Sequence, residues 1–128
     1  MYKDFQEATY LPMDVKVDSI DVRGDKHAKD GRKIPVVSTS AAKKADGTIV
    51  LSLANVSLDK AQELEFNLDG AAPKAVTGQI LTSKKVSDFN DFEHPDVVKP
   101  TAFKDAKLKK NTLKVKIPAK SIVVLKIK

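Results

Sequence analysis

The chain has 128 residues, 41% of them hydrophobic and 31% charged, which fits one domain with a small core and a heavily charged surface. It has no cysteine, so disulfides, thiolate metal sites and cysteine nucleophiles are excluded together. The net charge of +6 rests on lysines interleaved with aspartates, with Arg23 and Arg32 the only arginines, and reads as solvated surface rather than a nucleic-acid interface, which favours arginine forks and stacking aromatics.

In the first dozen residues Tyr2, Phe5 and Ala8 recur at helical spacing and Pro12 closes the segment. The piece is too short for a stable helix by itself. It is expected to be the remnant of something upstream, so residues 1–12 are set apart as a linker and residues 13–128 as the domain. No apolar run approaches the roughly 18–20 residues of a membrane span, and MYKDFQEATY lacks the apolar centre of a signal peptide.

After Pro12 the period changes to two. Val15 and Val17 alternate with charged residues, and Ile20 and Val22 continue in the opposite phase, which predicts a strand with a bulge or bend near Ser19. Residues 24–33 are polar, with Gly31 a turn residue. A strand follows over Val36–Ala42, with Pro35 at its start. Asp46-Gly47, set between that run and Ile49–Leu53, is the clearest hairpin signal. Asn55–Gln62 reads as a connection in which Asp59 and Gln62 cap one helical turn. Leu64, Phe66 and Leu68 alternate with Glu63, Glu65 and Asn67, a strand with one buried face. Asp69-Gly70 and Pro73 turn the chain into a strand over Val76–Thr82, where Gly78 marks a bulge or a close contact. Ser83–Lys104 is the longest irregular region; Phe89 and Phe92 lie three apart, as on a helical turn whose aromatics tuck inward. Strands over Leu113–Ile117 and Ser121–Ile127 close the chain, joined by a corner at Pro118-Ala119-Lys120. About seven or eight short strands with no long amphipathic helix predict an all-β, antiparallel, jelly-roll-like β-sandwich.

Candidate chemistry is sparse. Glu63 and Glu65 share the solvent face of one strand, with Cα atoms about 7 Å apart. A retaining glycosidase holds its carboxylates about 5–5.5 Å apart, but no apolar surround is predicted here to make either a general acid. His27 and His94 are the only histidines. Neither has the spacing of a zinc site; Asp25 and Asp30, or Asp91, Glu93 and Asp96, offer at most a weak surface cation contact, and Pro95 interrupts the latter stretch as a calcium loop. No G-x-S-x-G and no phosphate loop occurs. No cofactor, metal or catalytic residue is therefore assigned. Sugar-binding sandwiches stack sugars on Trp or Tyr; this chain has no Trp, and Tyr2 and Tyr10 lie in the N-terminal piece. Phe66 reads as core, and Phe89, Phe92 and Phe103 as pins for the long loop. A carbohydrate-binding module stays open as the alternative function.

The string N-D-F-E-H-P-D-V-V-K-P resembles the N-x-F-x-x-P-x-x-V-x-P pattern of the C-terminal domain of family 51 α-L-arabinofuranosidases, through Asn90, Phe92, Pro95, Val98 and Pro100. Gly78–Thr82 is similar to the strand preceding that loop, and Pro118–Leu125 to the family's last strand. The opening M-Y-K-D-F-Q-E-A-T-Y-L-P resembles the chain leaving the last helix of the catalytic barrel. The resemblance implies a parent retaining glycosidase acting on arabinan or arabinoxylan, whose catalytic glutamates stand on a (β/α)₈ barrel upstream. This domain would then be an accessory packed against that barrel, with Phe5, Tyr10, Phe89 and Phe92 as barrel-facing candidates. The family's sandwich also takes a strand from the enzyme's extreme N-terminus, which implies an unpaired sheet edge here. A periplasmic or secreted parent is the expectation.

Overall fold

Eleven strands in three antiparallel sheets make up the computed structural model, which describes residues 1–22 and 32–128. The strands are β1 (Thr9–Leu11), β2 (Ser19–Val22), β3 (Arg32–Pro35), β4 (Val37–Lys43), β5 (Ile49–Asn55), β6 (Gln62–Asn67), β7 (Val76–Thr82), β8 (Thr101–Phe103), β9 (Ala106–Lys109), β10 (Thr112–Ile117) and β11 (Ser121–Ile127). A six-stranded sheet runs β1-β4-β5-β11-β7-β8 and a three-stranded sheet β6-β10-β9, while β2 and β3 form a separate ribbon.

Residues directly opposite each other in a ladder point to the same side. Leu11, Ala41, Leu51, Leu125, Gly78 and Phe103 stand in one row across the large sheet, and Leu53, Val123 and Ile80 in the next. These side chains meet Leu113, Val115 and Ile117 of β10 in one core, with Leu64, Phe66, Ala106 and Leu108 packed at its margin. Each fully buried Leu or Ile contributes about 1.5–3 kcal/mol. That exceeds an exposed ion pair several-fold, so this shared core holds the two sheets together.

Gly78 is where β7 comes closest to its neighbours. A Cβ there would lie 2.6 Å from Leu125 Cδ2 and 3.2 Å from Phe103 Cδ1, so the close-contact alternative is the one realised. The Asp46-Gly47 hairpin also forms. Gly47 adopts φ +86°, its N–H donates to Lys44 C=O, and Asp46 Oδ1 accepts the Thr48 N–H at 2.9 Å. A type I turn followed by a left-handed residue is a common three-residue hairpin, and glycine takes that last position without steric cost.

The structure differs from the sequence expectations in several places. Met13–Asp18 keeps the expected alternation, with Met13, Val15 and Val17 half-buried, but joins no ladder. Burial slips phase at Asp18 and Ser19, and the ladder begins only at β2. Asn55–Gln62 forms no helical turn. The Ser57 hydroxyl donates to Asp59 and accepts the Lys60 N–H, so local hydrogen bonds replace the helical ones. Thr9–Leu11, inside the piece set apart by sequence, is the edge strand β1 paired with β4. The β9–β10 hairpin, turning at Lys110 with φ 55°, was not expected because Ala106–Lys109 is half lysine. The polar stretch 24–33, with Gly24, Gly31, Asp25, His27 and Asp30, lies almost wholly outside the described residues.

Candidate interaction surfaces

With the inner faces committed to the core, whatever the domain does in contact with other molecules falls to its outer faces and loops. On the three-stranded sheet the outward residues of β6 and β10 are Glu63, Glu65, Asn67, Thr112, Lys114 and Lys116. Lys114 Nζ lies 2.9 Å from Glu65 and Lys116 Nζ 3.2 Å from Glu63, across the ladder. On β9, Lys107 faces Lys114 directly. An open depression of about 680 Å³ is lined by Glu63, Glu65, Asp105, Lys107, Lys114 and Lys116. Both glutamates are exposed and tied to lysines, and neither has the apolar enclosure that turns a carboxylate into a general acid.

The outer face of the six-stranded sheet has a different chemistry. By register it carries Tyr10, Ala42, Val50, Lys126 and Thr77 in one row, Ser40, Ser52, Val124, Gln79 and Ala102 in the next, and Ser38, Ala54, Ile122 and Leu81 in the third. Its one charged residue, Lys126, is taken up by Asp4 at 2.7 Å. The 3₁₀ turn Tyr2–Phe5 lies over this face. Tyr2 Oη is 2.8 Å from Ser52 Oγ, and Asp4 also reaches Lys44 at 3.3 Å. This cover explains why Val50, Ser52 and Val124 are buried although they point away from the core. The Lys126 ammonium bonded to Asp4, with Lys44 beside it, holds the Asp4 carboxyl below the usual carboxylate range against partial desolvation. Glu7 then turns the chain into β1 with φ 59°, a left-handed conformation uncommon outside glycine.

The barrel-facing candidates fall into two groups. Phe5 is half-buried and tilted against Tyr2, with ring centroids 5.7 Å apart, while Tyr10 is 68% exposed at the β1 edge. Phe89 and Phe92 lie on the loop beyond the opposite edge, 69% and 105% exposed. They neither tuck inward nor form a helical turn: hydrogen bonds of Asp88, Asn90 and Asp91 within the loop hold the backbone open, and the rings project from it. Phe103 is buried as expected, and Phe66 packs against the core.

Among the described residues no three His, Asp or Glu side chains converge as a metal site, and no helix is long and apolar enough to cross a membrane. His94 pairs with Asp91 at 3.1 Å in the loop, and the His27 cluster lies outside the described residues. The polar residue that sequence reasoning missed is Asn55, buried at the end of β5. Its Nδ2 donates to Lys60 C=O and Pro118 C=O, both at 2.9 Å, and its Oδ1 accepts the Ser57 N–H. It ties the β5–β6 connection to the corner at which β10 crosses to β11 in the other sheet. An asparagine ending an apolar run is the only sequence signal for that role.

One charged and one almost uncharged outer face, the latter crossed by the chain's own N-terminus, belong to an antiparallel β-sandwich domain. Residues 1–121 match the family model described as alpha-L-arabinofuranosidase C-terminal domain, and the chain belongs to that family. It is 48% identical over 127 residues to an intracellular exo-alpha-L-arabinofuranosidase of Bacteroides ovatus, an alignment covering 99% of this chain and 24% of that protein. The GH51 arabinofuranosidase of Xanthomonas axonopodis pv. citri superposes with a TM-score of 0.87 at 33% identity, over 99% of this chain and 24% of that one. The thermostable GH51 alpha-L-arabinofuranosidase of Thermotoga petrophila RKU-1 shares the fold, with a TM-score of 0.78 at 18% identity over 97% of this chain and 27% of that one. The chain thus spans about a quarter of the length of the relatives it matches.

Proposed function

We propose that this chain is the non-catalytic accessory sandwich of a retaining α-L-arabinofuranosidase acting on arabinose-containing plant polysaccharides. It packs against the catalytic (β/α)₈ barrel of the parent chain and stabilises it. The observation that carries this reading is the outer face of the six-stranded sheet. Its small and uncharged side chains, such as Ser38, Ser40 and Ala54, would give a poor solvated surface but allow another body to approach the strands closely. The N-terminal residues run directly onto that face, where the barrel would hand the chain over.

The same reading gives a place to the strand that the family takes from the enzyme's extreme N-terminus. Among the described residues β10 is the only ladder partner of β6, and Met13–Asp18 runs beside it without pairing. Depressions of about 320 and 280 Å³ lie between the two, lined by residues 14–18 and 62–66. An extended segment entering there would satisfy backbone groups on both sides.

Chemistry belongs to the parent's barrel, so this chain alone is expected not to hydrolyse an aryl α-L-arabinofuranoside. Turnover that survives repurification would sink the reading. Hydroxyl-radical footprinting checks the packing: Tyr10 should label readily in this chain and be protected in the parent enzyme. The exposure of Phe89 and Phe92 favours a second reading as a sugar-binding module, for which calorimetry with arabino-oligosaccharides should show millimolar or tighter binding.

A further inference from the structure

The chain makes its longest excursion between β7 and β8, at residues 83–100, and hydrogen bonds brace it at three points. Asp88 accepts the Ser83 hydroxyl and the Lys85 N–H, the latter at 3.1 Å. Asp91 Oδ1 accepts the His94 N–H at 2.5 Å, with His94 Nδ1 3.1 Å from the same oxygen. Asn90 spans the loop: its Nδ2 donates to Val98 C=O at 2.8 Å, and its Oδ1 accepts the Val98 N–H at 2.7 Å. One side-chain amide thus satisfies both backbone groups of a residue eight positions away, as a neighbouring strand would. Pro95 and Pro100 restrict φ further.

The two exposed phenylalanines sit between these braces. Phe89 lies between Asp88 and Asn90, and Phe92 lies inside the Asp91–His94 turn. Val86 and Val97 extend the apolar exposure along the same loop, at 76% and 50%. A loop that merely connected two strands would gain nothing from such bracing while leaving its largest apolar groups in water. Bracing does help a binding loop, because residues already held in shape lose little conformational entropy on docking. Buried aromatics in pockets are also the anchors that dominate interfaces.

We propose that the Ser83–Pro100 loop is a preformed anchor that seats Phe89 and Phe92 in apolar pockets of the parent's catalytic region, with Asn90 the positioning residue that holds the loop in shape beforehand. This rests on the accessory-domain reading above. The occupant is the remainder of the parent polypeptide, since this chain covers only 24% of its Bacteroides ovatus relative. A tethered partner also accounts for solvent-facing aromatics that do not have to find a separate protein.

The test compares substitutions in this chain with the same substitutions in the parent enzyme. Phe92→Ala is expected to leave the melting temperature of this chain within about 1 °C and to lower the parent's inactivation midpoint by about 3–6 °C. Asn90→Ala should speed hydrogen exchange of the Val98 amide in this chain at least tenfold. It should shift the parent in the same direction as Phe92→Ala, and the double variant should be little worse than Phe92→Ala alone, because Asn90 acts through the aromatics. An equal loss in both proteins would mean that Phe92 packs within this domain, and would overturn the inference. So would a neutral Phe92→Ala in a parent that Ser40→Glu destabilises, since docking would then be real but use the sheet face alone. If both substitutions are neutral in the parent, the accessory-domain reading itself fails. Loss of arabino-oligosaccharide binding by this chain on Phe92→Ala would make the loop a sugar platform and overturn the anchor.

Discussion

The outward positions of β6 and β10 are filled by Glu63, Glu65, Lys114 and Lys116, while those of β4 and β5 hold Ser38, Ser40, Ala42, Val50, Ser52 and Ala54, of which Ala42, Val50 and Ser52 are themselves buried. Geometry is the same in both sheets; what differs is the chemistry of their outer faces, a difference that the proposed packing explains. A face that stays in water carries long charged side chains, whose ion pairs add little but keep the sheet soluble and its edges unattractive. A face that another body covers loses those chains, because burying them unpaired costs several kcal/mol. Part of that cover is already present in this chain. The Tyr2–Phe5 turn buries Val50 and Val124, and the double salt bridge of Asp4 neutralises the only charge on the sheet beneath it.

The largest effect is expected from placing a charge on the uncharged face. Ser40→Glu should cost the parent enzyme about 3 kcal/mol or more of inter-domain stability, as an unpaired carboxylate buried at an interface does. In this chain alone the change should stay within about 0.5 kcal/mol, because the new side chain is solvated. Differential scanning of both proteins gives the two numbers, and equal values would erase the distinction between the faces.

An intermediate effect is expected at the N-terminal cover. Asp4→Asn should destabilise this chain by about 1 kcal/mol, more than a typical exposed pair because two lysines share the carboxylate. The folded-state pKa of Asp4 is depressed, so this stabilisation is fully present above the ordinary carboxylate pKa and is lost as pH falls through the lowered folded value. Acid titrations followed by circular dichroism should converge for the two proteins at low pH and separate on going to neutral pH. A constant gap would mean that the ion pairs are not its source.

The smallest effect belongs to the charged face. Glu65→Ala removes the acid opposite Lys114 on one side and leaves it facing only Lys107 on the other, at a cost of about 0.5 kcal/mol or less. Denaturant titrations at low and high salt should show that cost shrinking as salt rises. A loss matching that of Asp4→Asn would place structural weight on a face expected to have little.

Strands were legible wherever the alternation ran long enough to be unambiguous. Val76–Thr82 and Ser121–Ile127 are found at the residues read from sequence, and Ile49–Leu53, Leu64–Leu68 and Leu113–Ile117 lie within a residue or two of theirs. Asp46-Gly47 was legible because a left-handed turn position has a strong residue preference. Phe89 and Phe92 were misread because apolar residues in a globular chain are expected to point inward, whereas on this loop both rings project outward. Their spacing of three suggested a helical turn, but Asn90, Asp91 and Asp88 spend their side chains on loop backbone instead. The strand inside the N-terminal piece went unread for a related reason. Three strand residues are too few to show a period, so Thr9–Leu11 became legible only through its partner β4.

The all-β class and the likeness to an arabinofuranosidase C-terminal domain were both readable in the residues themselves. They depend on residue types and local periods, which one chain carries without reference to its fold. Tertiary structure alone decided which strands share a sheet, that β10 and β11 belong to opposite sheets despite being consecutive, and that Asp4 reaches across to Lys126. A period of two says which side a residue faces, but not which strand lies beside it. That choice is made by long-range packing, and it is what left one outer face charged and the other almost uncharged.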